Sequence, residues 1–299
     1  LKINPHYPEA YNNLGNALKE IERLDQAIES YENAIKLDPK FIDPYTNLAI
    51  VFASKKNENE KAEYYFKKAL EISPENIQNT LTFANHLYHQ KLFERSKELL
   101  FSIIKQNPYH LESLNRLGLC HLEQENYNAA LSNFERVLEI NPNQIEPLNN
   151  KGLLFYKKND FKKAKEVFLK VLSLDSEYIE AINNLGRVYT AMGLPDNAIE
   201  ILSSKLKSNA ENTKLLSCLV DAYARQQSYI EALNCCKKVI DLEGETASAL
   251  NSLGHLYHKI GDYEKAEINF ERAFKLDKNF SRALVNLSIL KHDNGYYME

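Results

Sequence analysis

Residues 8–41 read PEAYNNLGNALKEIERLDQAIESYENAIKLDPKF. Small residues stand at Gly15 and Ala27, large apolar ones at Tyr11, Leu14, Leu18 and Tyr31, and Pro39 marks the close of the stretch. The apolar offsets of three and four follow the period of an α-helix, not the period of two that a strand requires. The same pattern then returns down the chain. Pro5, Pro39, Pro74, Pro108 and Pro142 are spaced by 34, 35, 34 and 34 residues. A fixed period near 34 is the mark of an array of stacked helix hairpins.

Numbered from Pro8, position 7 holds Leu14, Leu48, Phe83, Leu117, Lys151, Leu185, Leu219, Leu253 and Leu287, apolar in eight cases of nine. Position 8 holds Gly15, Ala49, Ala84, Gly118, Gly152, Gly186, Val220, Gly254 and Ser288. Position 20 is alanine in seven cases of eight, with Ser96 the exception. Position 24 holds Tyr31, Phe66, Leu100, Phe134, Phe168, Leu202, Cys236 and Phe270. Small residues at 8 and 20 allow two helices to approach; the large residue at 24 fills the space around them. Three residues break the pattern. Lys151 enters the position-7 column, Lys205 takes the place of a small or apolar packing residue, and Val220 is oversized for the close contact.

Eight units are therefore expected, over 8–41, 42–76, 77–110, 111–144, 145–178, 179–212, 213–246 and 247–280. Residues 1–7 read as the tail of a preceding unit, and 281–299 as the first helix of a truncated ninth. The chain is thus expected to be an excerpt from a longer array. One extra residue in the second unit falls in the run Ser54-Lys55-Lys56-Asn57-Glu58-Asn59, a turn, where insertions are tolerated. Asn126, Asp160, Ser228 and Asp262 stand where the second helix begins, ready to cap it. Gly193, Gly261 and Gly295 stand where the first helix must stop.

Composition sets limits on function. Thirty-seven Lys and Arg stand against 41 Asp and Glu, a net charge of −4. That balance argues against a nucleic-acid partner. No apolar run approaches the ~20 residues that span a bilayer, so no membrane insertion is expected. Cys120, Cys218, Cys235 and Cys236 include no Cys-x-x-Cys pair and read as free thiols of a reducing, cytoplasmic setting. Every glycine is taken up by the repeat, leaving none for a phosphate-cradling loop, and no nucleophile elbow or zinc-helix motif is present. No cofactor is expected, and no catalytic residue is proposed. His255, His258 and His292, with Asp293, form the sole conceivable metal cluster, and the reading here is no metal. Asn286-Leu287-Ser288 is a formal glycosylation sequon set among helix-packing positions.

This pattern resembles the tetratricopeptide repeat family over essentially the whole chain. The resemblance implies an all-α, right-handed superhelical solenoid of antiparallel helix pairs. It also implies that positions 2, 5, 6, 9, 12 and 13 of each first helix line an inner, ligand-facing surface. Position 6 then presents Asn13, Asn47, Asn150, Asn184 and Asn286, and position 5 adds Asn12, Asn115, Asn149, Asn183 and Asn251. An amide can pair with both groups of a peptide unit. The column is similar to the asparagine ladder in the repeat arm of O-linked N-acetylglucosaminyl transferases, although Thr82, Arg116, Cys218 and Ser252 interrupt it. Either these amides hold a ligand backbone or they are structural consensus. The family's dicarboxylate clamp is not matched: Asn16 and Asn47 fit its amides, but Asn12, Gln78 and Thr82 stand where basic residues belong.

On the same implied surface, Leu119, Leu122, Leu153 and Tyr156 form an apolar group, which either meets a partner's side chains or packs between adjacent inner helices. Position 2 drifts from Glu9, Asp43, Glu112, Glu146 and Glu180 to Lys214 and Arg282. The expected function is a non-catalytic scaffold that binds an extended or helical protein or peptide segment through Asn13, Asn47, Asn150, Asn184, Leu119, Leu122, Leu153 and Tyr156. Two alternatives stand beside it. One is a substrate-selecting arm of a glycosyltransferase or sulfotransferase whose catalytic domain lies outside this chain; the other is a self-association module.

Overall fold

The computed structural model describes residues 6–55 and 58–293, and among these it holds 17 α-helices and no strand. Pro5, Gly295 and the Lys56-Asn57 pair of the expected insertion lie outside the described residues. The chain forms two compact units. In the first, Leu1–Pro142, α1 (Pro8–Glu20) packs on α2 (Leu24–Leu37), α3 (Ile42–Ser54) on α4 (Asn59–Ile72), α5 (Ile77–His89) on α6 (Phe93–Gln106) and α7 (Leu111–Glu123) on α8 (Tyr127–Ile140). In the second, Asn143–Glu299, α9 (Ile145–Lys157) packs on α10 (Phe161–Leu174), α11 (Ile179–Ala191) on α12 (Pro195–Leu206), α13 (Thr213–Arg225) on α14 (Tyr229–Glu243) and α15 (Ala247–Ile260) on α16 (Tyr263–Leu276). α17 (Ser281–Asp293) packs on α16. Within each unit the second helix of one hairpin also packs on the first helix of the next.

The seam inside each hairpin follows from side-chain size. A methyl group placed on Gly118 would lie 2.5 Å from the Phe134 ring, and one on Gly152 would lie 2.6 Å from Phe168. No Cβ fits at those distances, so glycine is what lets the aromatic ring lie flat against the facing helix. Val220 does not weaken this seam as its size suggests. Its partner at position 24 is Cys236, and both are buried in one cluster with Ala232 and Leu253. A larger residue on one helix meets a smaller one on the other, and the volume is conserved. Ser96 enters the alanine column with its hydroxyl donating to the Ala84 carbonyl at 2.8 Å. Tyr31, in the first hairpin, has its hydroxyl donating to Asn16 Oδ1 at 2.8 Å. Burial, with the Glu20 charge adding to it, pushes that phenol up to about 12.

The turn between the two helices of a hairpin needs one residue in the left-handed region. Gly193 (φ 74°) and Gly261 (φ 90°) supply it freely. Glu22, Lys91, Glu125, Asn159 and Gln227 occupy the same position with φ between 59° and 66°. Each strains a side-chain-bearing residue by ~1–2 kcal/mol, least at Asn159. Asn126, Asp160 and Asp262 cap the following helix through backbone N–H groups three residues on, at 3.4, 3.2 and 3.2 Å. Ser228 does not cap; its hydroxyl donates to Gln226 Oε1 at 3.0 Å.

Lys205 is buried, and its ammonium pairs with the exposed Glu177 carboxylate. Lys151 is half-buried on α9.

Candidate functional site

The asparagine column is partly spent inside the protein. Asn47 Nδ2 on α3 donates to Asn12 Oδ1 on α1 at 2.9 Å. Asn184 on α11 does the same to Asn149 on α9 at 3.2 Å, and Asn286 on α17 to Asn251 on α15 at 2.8 Å. Each bond links position 6 of one hairpin to position 5 of the hairpin before it. Where Cys218 replaces the amide, its thiol points at the Asn183 backbone carbonyl, 3.8 Å away. The amides thus stitch adjacent first helices. Asn13 is exposed on α1, and Asn150 is buried on α9. The Asn286 amide of the sequon is committed to its bond with Asn251, and Asn16, the other amide matched to the clamp, accepts from Tyr31.

The apolar group needs one correction. Leu122 is fully buried, so it offers no surface to a partner. Leu119, half-buried, lies on α7 in the first unit; Leu153 and Tyr156 lie on α9 in the second. These last two face different cavities. Leu153, Asn149, Asn183 and Asn184 line one of about 720 Å³ beside Glu180, Glu211 and Lys214.

Tyr156 lines the other, of about 490 Å³, together with Arg187, Thr190, Cys218, Asp221, Arg225 and His255. Four first helices, α9, α11, α13 and α15, contribute to it, at positions 6, 9, 12 and 13. Thr190 and Ala224 line it, in the column that holds the larger Tyr88, Leu122 and Tyr156 in the three hairpins before them. The Arg187 guanidinium carbon lies 4.6 Å from the centroid of the Tyr156 ring, a cation–π contact.

Electrostatics in this cavity are uneven. Desolvation pushes the Asp221 carboxyl above its usual range against the pull of Arg187 and Arg225, although the residue still reaches solvent. Desolvation, then Lys259 and His258, hold the His255 imidazole below its usual range, which keeps it neutral near pH 7. Burial pushes the Cys218 thiol up to about 12 and that of Cys236 to about 11. Both stay protonated at neutral pH, so neither is a ready nucleophile. Sequence reasoning named Tyr156 but missed Arg187 and Asp221. The signal was present: position 9 runs Leu119, Leu153, Arg187, Asp221, His255, changing from apolar to charged at α11.

Among the described residues, no group of three His, Cys, Asp or Glu side chains is placed to hold a metal ion. The His258 ring lies tilted against that of Tyr263, 5.7 Å between centroids, and the Asp293 side chain lies outside the described residues. No helix among them is long and apolar enough to cross a membrane.

Comparison with known proteins follows the same architecture. A 133-residue stretch is 27% identical to the human protein O-mannosyl-transferase TMTC3, covering 44% of this chain and 14% of that protein. A 91-residue stretch is 32% identical to a UDP-N-acetylglucosamine–peptide N-acetylglucosaminyltransferase of Giardia intestinalis, covering 30% of this chain and 6% of that protein. The chain therefore spans only a small part of either relative. Among solved structures, a tetratricopeptide repeat protein from Parabacteroides merdae superposes with a TM-score of 0.59 at 16% identity, over 95% of this chain and 98% of that one. Pseudomonas aeruginosa PilF superposes with a TM-score of 0.56 at 21% identity, over 70% of this chain and 94% of that one. Family models described as tetratricopeptide repeat match residues 8–41, 42–76, 111–144, 145–178, 179–211 and 212–279. With helix hairpins throughout and these matches over most of its length, the chain belongs to the tetratricopeptide repeat family.

Proposed function

We propose that this chain is a non-catalytic scaffold that holds a segment of another protein against its first helices. The observation that carries this reading is the cavity of about 490 Å³ in the second unit. Side chains from α9, α11, α13 and α15, each more than thirty residues from the next, converge there on one open space. That space combines an aromatic face, two guanidinium groups and a carboxylate. Such a mixture suits recognition of peptide side chains, where aromatic residues and arginine supply most of the binding energy. Burial keeps the Cys218 thiol in this cavity protonated, which favours binding over thiolate chemistry there. Asn184 and Leu153 are proposed as secondary contacts in the second unit, and Asn13, Asn47 and Leu119 as contacts in the first; Asn150 is buried on α9 and is not among them. The free N–H of Asn47 and Asn184 can still reach a ligand after each has donated once to its neighbour.

The test is affinity capture from a matched extract with wild type and a Tyr156→Ala, Arg187→Ala double variant. Proteins captured by wild type and lost by the variant, with helix content unchanged, support the reading. Equal capture by both moves the binding surface to the second helices. A second reading, a substrate-selecting arm for a glycosyltransferase, is favoured by the likeness to the Giardia enzyme. It requires the same cavity and adds a catalytic domain elsewhere in the polypeptide.

A further inference from the structure

Resting on that scaffold reading, the charge inside the cavity narrows the kind of segment it takes. Arg187 and Arg225 have no carboxylate within ion-pair distance among the described residues, and Arg187 is braced over the Tyr156 ring. Asp221 influences both through space without pairing to either. Two guanidinium groups thus face one carboxylate and an imidazole whose charged form desolvation disfavours, and the cavity keeps a net positive charge. A guanidinium presents planar, parallel N–H donors that match a carboxylate, and bonds of this kind are roughly twice as strong as neutral ones. The small side chains Thr190, Ala191 and Ala224 line the same cavity of about 490 Å³ as the two arginines and leave room in it for an entering side chain. The surroundings argue against a polyanion. The chain carries a net charge of −4, and Glu146 and Glu180 begin the same helices, α9 and α11, that form the cavity wall. A nucleic acid would meet those carboxylates; a single acidic residue would not.

We propose that the cavity walled by Tyr156, Arg187, Asp221, Arg225 and His255 seats an acidic side chain of a partner peptide, its carboxylate lying between the two guanidinium groups. His255 donates one N–H to that carboxylate or to the adjoining peptide unit. Asp221 limits how much negative charge is accepted, which sets the preference at one acidic residue over an acidic run.

The experiment is a synthetic array of ten-residue peptides in varied Leu-, Tyr- and Ala-containing backgrounds, with the central position Glu, Gln or Lys. Wild-type protein should prefer Glu to Gln by about tenfold, as expected when two charge-assisted hydrogen bonds replace neutral ones. It should reject Lys, and its preference should weaken as salt rises. Arg187→Gln with Arg225→Gln should abolish the preference while leaving helix content unchanged, since both side chains are exposed. Asp221→Asn should widen the preference to Glu-Glu pairs. Equal binding of Glu and Gln peptides, or a preference surviving in the double variant, overturns this inference and leaves the scaffold reading standing. No binding of any peptide at millimolar concentration overturns both.

Discussion

Helices α10 and α12 occupy equivalent places in consecutive hairpins and solve the same packing problem differently. α10 runs 14 residues and buries Ala164, Phe168 and Val171. α12 runs 12 residues and buries Ala198, Leu202 and Lys205. The aromatic ring of Phe168 fills the notch above Gly152; the branched Leu202 fills the one above Gly186. Val171 closes α10 as an apolar residue, in the column that elsewhere holds the fully buried Ala34, Ala69, Ile103 and Val137. Lys205 takes its place in α12, with its methylenes buried and its ammonium reaching Glu177. Beyond Lys205 the helix breaks into turns, with Ser208 Oγ and Asn209 Nδ2 both donating to the Lys205 carbonyl. Side-chain donors of this kind compete with the helical ladder and end it early. The lesson is that a repeat tolerates a cation in its buried column when the charged head can reach an exposed carboxylate, here in a helix two residues shorter.

The largest effect expected within this comparison is at the aromatic plug. Phe168→Ala should destabilise the protein by ~4 kcal/mol and Leu202→Ala by ~3 kcal/mol, measured by denaturant titration of helical signal. A smaller loss at Phe168 than at Leu202 would mean that α10 does not depend on its ring. Next comes overpacking of the notch. Gly152→Val should cost ~3 kcal/mol, because a flat ring held on both sides has no free rotamer to yield, and Gly186→Val about half that, because leucine can turn aside. Equal costs would break the account of the seam by size matching.

Smaller effects concern the turns and stitches. Gly193→Ala places a side chain at φ 74° before α12 and should cost ~1 kcal/mol. Asn159→Gly in the turn before α10 should be neutral or slightly stabilising, since asparagine already tolerates that region. Asn184→Ala removes the amide bond between the two hairpins and should cost ~1 kcal/mol, leaving the Asn149 oxygen without its donor. A cost near zero would return Asn184 to a purely ligand-facing role. The smallest shift is at the cation. Lys205→Leu should be neutral or stabilising, and Glu177→Gln should lose up to ~1 kcal/mol. Hydrogen exchange should show the end of α12 opening before the end of α10, and Lys205→Leu should narrow that gap. Identical exchange in the two helices would show that the buried lysine carries no cost.

Much of this molecule was legible before any coordinates. The period, the hairpin order, the glycine at position 8 and the ring at position 24 could all be read from spacing. They depend on contacts within one hairpin, and helical geometry relates those contacts to sequence offsets directly. Capping by Asn126, Asp160 and Asp262 is local in the same sense, and Ser228 escaped because a neighbouring glutamine competes for its hydroxyl.

What only the tertiary structure decided lies between hairpins. Asparagines 35 residues apart bond to each other, Leu122 is withdrawn from the surface, and Cys236 makes room for Val220. Arg187, Asp221, Arg225 and His255 come together around Tyr156 because of how successive first helices are rotated and spaced. That arrangement is set by the sum of many side-chain contacts across each interface, each worth a fraction of a kcal/mol. A column of residue types records which side chains face inward. It does not record which of them have already found a partner within the protein, and that difference separates the amides that bond between hairpins from the arginines proposed here to meet a ligand.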